Sequence, residues 1–559
     1  MSRIFFRKPL LVWVVACGLL ALGLQGRGQE RQKGPTKLDY SVSTCAECHT
    51  VPKPADKDDP LLLCRCDEAK RWNEHDKHKD AYHALEGKAA KEMGELLGYK
   101  KPVYEKTECL SCHASAVEDK KFLADGVSCV ACHGAFKEWV KEHHASGIPS
   151  DREKWRKKSR DEKESKFGMA DLWNPMKRTK LCASCHIGNA KEGKFVTHAM
   201  YAAGHPPLPG LDVATFSEEM PRHWEYLKEK KPAVQELLKI TPEDAEFEVT
   251  KLVVVSGLAC LRESLDSLAF LAQKAKGDGP RRRSLDLANF DCSACHHELQ
   301  YPGWRQQRPS RLTAGYPRLR EWSLTLARYA IRQAGEDVTQ FEAKLDKLYR
   351  AFDDRPFGDA AAVAEAAGDL VCWLDCVVEN LDKLKFTNDQ ARQVLAELSK
   401  LPEKEGDDYD SARARVWAFR AVYSELKSNR NNLNAYVTTL VQRQPFASAA
   451  CSSYFLTVPK RFPDVDADVE RLFAGVSEQV KLRLPASESF RNKVNASATI
   501  VLQNQPLAAV SCSSYFLTVP PRELQVLEAL PDSLKKANAY DPEKFRKAFS
   551  ELVRDASAK

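Results

Sequence analysis

Apolar side chains return every three or four positions from Phe247 to Leu271, which predicts one long helix with a wide buried face. The same periodicity recurs in the second half of the chain. It predicts helices over Leu319 to Ala334, Val338 to Phe352, Ala360 to Leu384, Ser411 to Ser428 and Pro542 to Ala556. Trp72, His78, Ala81, Tyr82 and Leu85 lie on a further helical pattern, with His75 and His78 on one face and His83 well round from them. Near the N-terminus the pattern differs. Arg3, Arg7 and Lys8 precede an unbroken apolar run from Leu10 to Leu24, and a polar stretch follows. That order of charge, apolar run and polar linker predicts an export signal or N-terminal anchor over residues 1–28. At about 15 residues the run is short for a span, which needs about 20.

Helical pattern follows helical pattern, so the fold class expected is mainly α. A chain of 559 residues exceeds one ordinary core, and a division near residue 310 is expected. Beyond Pro317 there is no histidine at all. The expected units are therefore residues 38–310 and a helical C-terminal domain over 311–559. The latter contains an internal duplication: "CSSYFLTVP" runs from Cys451 to Pro459 and again from Cys512 to Pro520. The copies extend over about 439–459 and 500–520, too few repeats for a solenoid. The formal charge of +7 is small for this length, and Lys and Arg interleave with Asp and Glu. That balance argues against a nucleic-acid partner.

The cysteines change the picture most. Ten of the 18 fall into five repeats of Cys-x-x-Cys-His: Cys45, Cys48 and His49; Cys109, Cys112 and His113; Cys129, Cys132 and His133; Cys182, Cys185 and His186; Cys292, Cys295 and His296. Two thiols three positions apart can add to the two vinyl groups of one haem, and the adjacent His then reaches the iron from one face. Zinc knuckles or a disulfide scaffold do not require a His after each second Cys. The reading is five haem c groups, with His49, His113, His133, His186 and His296 as proximal ligands. Of the remaining cysteines, Cys64 and Cys66 suit a local disulfide or links to other loops. Cys372 and Cys376, four apart in a helical pattern, read as buried small apolar residues.

A second strong ligand makes a haem iron an electron relay, whereas an open sixth position can bind substrate. Nine histidines lie outside the motifs. One ligand is expected from the segment carrying His75, His78 and His83. His143 and His144 follow the third motif closely enough to fold back onto a haem. His198 and His205 follow the fourth, with Gly204 and Pro206-Pro207 presenting His205 from a turn. His223 is undecided, and His297 reads as structural.

Residues from about 40 to 305 resemble the cytochrome c-554 family of tetrahaem cytochromes. The matching features are the Trp72 to His78 segment, "GVSCVACHG" at Gly126 to Gly134 with Trp139 and His144 behind it, and the His198 and His205 pair. The resemblance implies a helical wrap around closely packed haems, mostly His/His ligated, exchanging electrons with redox partner proteins in the periplasm or another extracytoplasmic space. It implies His78, His144, His198 and His205 as distal ligands; the remaining iron is left to His83, His75 or another group, or is five-coordinate. The fifth motif departs from the family's four. The alternative function is a multihaem oxidoreductase acting on a small nitrogen compound at a five-coordinate haem.

Overall fold

The computed structural model describes residues 42–51, 59–115, 120–134, 142–143, 154–238, 246–276, 284–296, 311–313, 315–400, 408–431, 546–550 and 553. The expected export segment, both copies of the duplication and His144 lie outside these residues. Among the described residues helices are the regular elements, joined by two isolated β-bridges. The fold is mainly α, as the periodicity predicts.

One helix, Glu248–Ala275, organises the larger core. Val253, Val254, Val255, Leu258, Ala259 and Cys260 along it are all buried, so its middle is enclosed on every side. It packs along Ala360–Asp382 and also meets Pro175–Ala183, Val213–Glu219 and Tyr409–Asn431. Fully buried Leu258, Leu370 and Leu374 each contribute about 2–3 kcal/mol of apolar burial. This core draws on residues from Ala183 to Phe549, so it runs across the boundary expected near residue 310.

Glu425, from the last of these helices, reaches the start of the long one. Its carboxylate accepts hydrogen bonds from Val249 N at 3.1 Å, Thr250 N at 2.8 Å and Thr250 Oγ1 at 2.8 Å. A carboxylate there satisfies first-turn donors that no intrahelical carbonyl can reach. Lys228 Nζ lies 3.7 Å from the same carboxylate. On the far flank, Arg262 pairs with Asp375 at 2.7 Å and ties the two long helices together.

The region of the first three motifs is built differently. Its buried apolar side chains form two small groups, one around Leu85, Ala90, Val103, Leu110 and Leu123 and another of Val130 and Trp155. Short helices and 3₁₀ turns replace long elements there.

Three expectations need correction. The predicted helix through Trp72 to Leu85 is broken: Glu68–His75 ends at Asp76, which is extended. The Asp76 side chain accepts from His78 N at 2.9 Å and starts a new 3₁₀ turn, Lys77–Asp80. A local side-chain cap wins over helix continuation, as Asp commonly does. His75 and His78 therefore do not share a helix face.

Cys372 and Cys376 are exposed rather than buried. The buried stripe of Ala360–Asp382 runs through Leu370, Leu374, Val377, Val378 and Leu381, and the two thiols lie off it. The predicted helix from Leu319 forms only from Ala327 to Gln333. Leu319 is instead bridged to Phe290, and Asp291 N donates to Arg318 O at 2.8 Å. That pairing fixes the lead-in to the fifth motif.

Candidate haem sites

Four of the five Cys-x-x-Cys-His motifs lie on or at the end of a helix, and the fifth on a 3₁₀ turn: Val42–His49, Thr107–His113, Cys129–His133, Pro175–Ala183 running into the turn Ser184–Gly188, and Cys292–Ala294. One turn puts the two thiols of a motif on one side, with the His next to them.

Each of four motif histidines faces another histidine. Ring centroids are 6.0 Å apart for His49 and His143, 6.2 Å for His186 and His78, 6.4 Å for His133 and His223, and 6.3 Å for His296 and His198. Two imidazoles bound to opposite faces of one metal, with nitrogens at about 2 Å, hold their centroids about 6 Å apart. The observed spacings match that distance. The remaining motif His, His113 of the second motif, is close enough to His205 to act on it electrostatically.

The tautomers also suit metal binding. His113 Nδ1 donates to Ala81 O at 2.7 Å and His205 Nδ1 to Pro206 O at 2.8 Å. His49 Nδ1 donates to Glu68 Oε2 at 2.8 Å, and His78 Nδ1 to Asp76 Oδ1 at 2.9 Å. With Nδ1 carrying the hydrogen, the lone pair resides on Nε2. Burial pushes His133, His186 and His205 down to about 4, so each is a neutral imidazole at neutral pH. Burial alone would lower His49 too, but the hydrogen bond and charge of Glu68 raise it to about 9. Imidazole pairs at bis-imidazole spacing, beside paired thiols, fit haem c, and the iron would take the place of the proton on His49 Nε2.

Hydrogen bonds hold the facing histidines in register with the motifs. Val127 N, just ahead of the third motif, donates to His78 O at 3.0 Å, and Trp72 Nε1 donates to Val127 O at 3.3 Å. Gly126 makes this approach feasible: its φ is +60°, and a Cβ there would stand 2.5 Å from Lys79 O. His198 N donates to Asp286 Oδ1 at 2.8 Å, while the same oxygen accepts from Ala288 N just before the fifth motif.

Residues 44–134 match the family model of cytochrome c554 and c-prime, a segment that holds the first three motifs. Over that segment the chain is similar to cytochrome c554. That match supports haem c as a cofactor and a role in electron transfer. No curated protein and no solved structure matches the chain. Among the described residues no helix is long and apolar enough to cross a membrane.

The structure brings His78, His198 and His205 toward the fourth, fifth and second motif histidines respectively. His143, the neighbour of His144, faces the first. His83 is exposed, and its Nδ1 meets Glu86 at 2.8 Å instead. His223 faces the third, a role that "PRHW" did not disclose. The one local signal for His223 is Trp224, whose ring packs edge-on against it at 5.2 Å.

The motifs also adjoin one another. Cys129 and Cys45 are within hydrogen-bonding reach, as are Cys112 and Cys185. Cys132 feels Cys182 and Cys185. Tyr201 lies 6.0 Å from His205 by ring centroids and feels the charge of Cys292.

Proposed function

We propose that the chain is a five-haem electron relay in which every iron is held between two histidines. The pairs are His49 with His143, His113 with His205, His133 with His223, His186 with His78, and His296 with His198. The observation that carries this reading is the four ring pairs at 6.0–6.4 Å, each joining a motif His to a His from elsewhere in the chain.

Haem c, when bound, supplies a one-electron ferric/ferrous couple at each site. The protein's own part is to fix the ligands so that oxidation state changes with little rearrangement. Asp76, Glu68, Ala81 and Pro206 hold imidazole Nδ1 atoms, which orients each ring and sets its basicity. Covalent thioethers at the ten motif cysteines fix the spacing. The thin apolar core around the first three motifs supports the same reading, because tightly packed haems complete such a core.

Contacts between motifs support the order first, third, fourth, second, fifth along the relay. Its ends are then the haems at His49 and His296, which suits exchange with redox partner proteins at two faces. An extracytoplasmic location, free or tethered by the N-terminal segment, agrees with covalent haem attachment and with the expected export segment.

Carbon monoxide titration of the reduced protein tests the relay reading. Six-coordinate irons give slow, minimal binding. Rapid binding to most haems would leave the reading without support and favour chemistry at open sites.

A further inference from the structure

The Cys64-Arg65-Cys66 segment has no part in haem attachment, yet it sits against the first haem site. Cys64 Sγ and Cys66 Sγ are 3.5 Å apart. Cys64 Sγ, the Glu68 carboxylate and a ring nitrogen of His49 all lie within 4.8 Å of one another. Cys66 is buried and has a φ of +60°, the one positive φ outside glycine among the described residues. A left-handed residue at that position turns the chain so that both thiols face each other across Arg65.

The segment is held firmly in this shape. Arg65 N donates to Glu68 Oε1 at 2.6 Å, and Arg65 Nε pairs with Asp67 at 3.1 Å. Leu63 O accepts from the buried Lys230 Nζ at 2.6 Å. Glu68 is thus shared between the dithiol turn and His49, touching both.

We propose that Cys64 and Cys66 form a dithiol–disulfide couple in electronic contact with the haem bound at His49. In the forward step Cys64 and Cys66 each release one proton to water and one S–S bond forms. The two electrons leave singly, each reducing one ferric haem iron to ferrous. The recipients are the haems at His49 and at the adjoining third motif, whose Cys129 touches Cys45. The reverse step consumes two electrons and two protons and restores the thiols. The turn thereby converts between a two-electron thiol couple and one-electron haems. The proposal rests on the haem assignment at His49.

The test uses the full haem-loaded chain. Anaerobic coulometric reduction of wild type is compared with Cys64→Ser and Cys66→Ser. The expected result is two additional electrons per molecule in wild type, with the same haem spectrum in all three. In parallel, wild type is poised at graded potentials, its thiols are trapped with an alkylating reagent, and the peptide spanning Cys64 and Cys66 is weighed. Labelling is expected to rise as the haems become reduced.

Equal electron uptake by wild type and variants would overturn the proposal. So would thiols that label at every potential, or a disulfide that persists when all haems are reduced. Stoichiometric zinc released from Cys64 would overturn it as well. The trapping arm needs no variant, so a failure of either serine variant to fold leaves the test intact. Loss of haem from the peptide carrying Cys45 and Cys48 would instead refute the haem assignment itself.

Discussion

Replacing His223 with alanine probes the ligand that the residue pattern left undecided. In the structure its ring centroid is 6.4 Å from that of His133, and its Nδ1 makes only a long contact of 3.4 Å with Pro221 O. Alanine removes the imidazole from that face. His75 and His83 cannot substitute, because both are exposed and meet Glu74 and Glu86. One iron in five then becomes high-spin, so about a fifth of the low-spin intensity should be lost. Carbon monoxide uptake by the reduced protein should rise by about one molecule per chain. Resonance Raman spin-state bands and a carbon monoxide titration measure both quantities, with His83→Ala as the control that changes neither. If His223→Ala stays fully low-spin while His83→Ala or His144→Ala yields the high-spin signal, the pairing argued from ring spacing is wrong.

Other expectations follow from the same contacts. Asp76→Asn keeps the shape of the His78 contact but removes the charge; losing about 1–2 kcal/mol of charge-assisted bonding should raise one haem potential by about 40–90 mV in spectropotentiometry. An unchanged set of potentials would refute that role. Glu425→Ala strands the Val249 and Thr250 donors in the core and should cost about 2–4 kcal/mol in denaturant unfolding; a loss below about 0.5 kcal/mol would show that the cap is not needed. Burial pushes Glu248 up to about 7, above its ordinary 4.5. A raised carboxyl binds its proton more tightly when folded, so the contribution of Glu248 to stability is fully present below about 4.5 and is lost as pH rises through about 7. Glu248→Gln should flatten that decline, which unfolding at pH 5 and pH 7.5 would reveal. Gly126→Ala should disturb the site through the His78 and Lys79 carbonyls, lowering the yield of fully haem-loaded protein relative to Gly98→Ala, where a Cβ meets nothing.

The residue pattern made some features legible and hid others for physical reasons. The long helix Glu248–Ala275 was readable because burial repeats along it without interruption. The motif cysteines were readable because covalent attachment demands a fixed local spacing, which no tertiary contact alters. Facing histidines are another matter, since they arrive from distant segments. His78 and His198 were implied by the family resemblance, and the structure places both against motif histidines. His223 carried almost no local cue, and its pairing depends on how residues 221–224 cross the third motif. Between His143 and His144 no local rule in the residue pattern decides, because the two are adjacent in sequence. The burial of Cys372 and Cys376 was misread for a related reason. A spacing of four identifies a shared face but does not say which face is covered.

The shared core across residue 310 was likewise invisible to composition. Histidine and haem motifs stop there, but apolar packing does not, and Leu326 and Ile331 join the same core as Leu258. The haem-free helices therefore support the elements on which the fourth and fifth motifs sit.

The most direct test of five doubly ligated irons is electron paramagnetic resonance on the oxidised protein, taken with a chemical haem count on the same sample. Five haems per chain with low-spin ferric signals accounting for all the iron is the predicted result. Fewer than five haems, or a high-spin signal amounting to one iron or more, would contradict it.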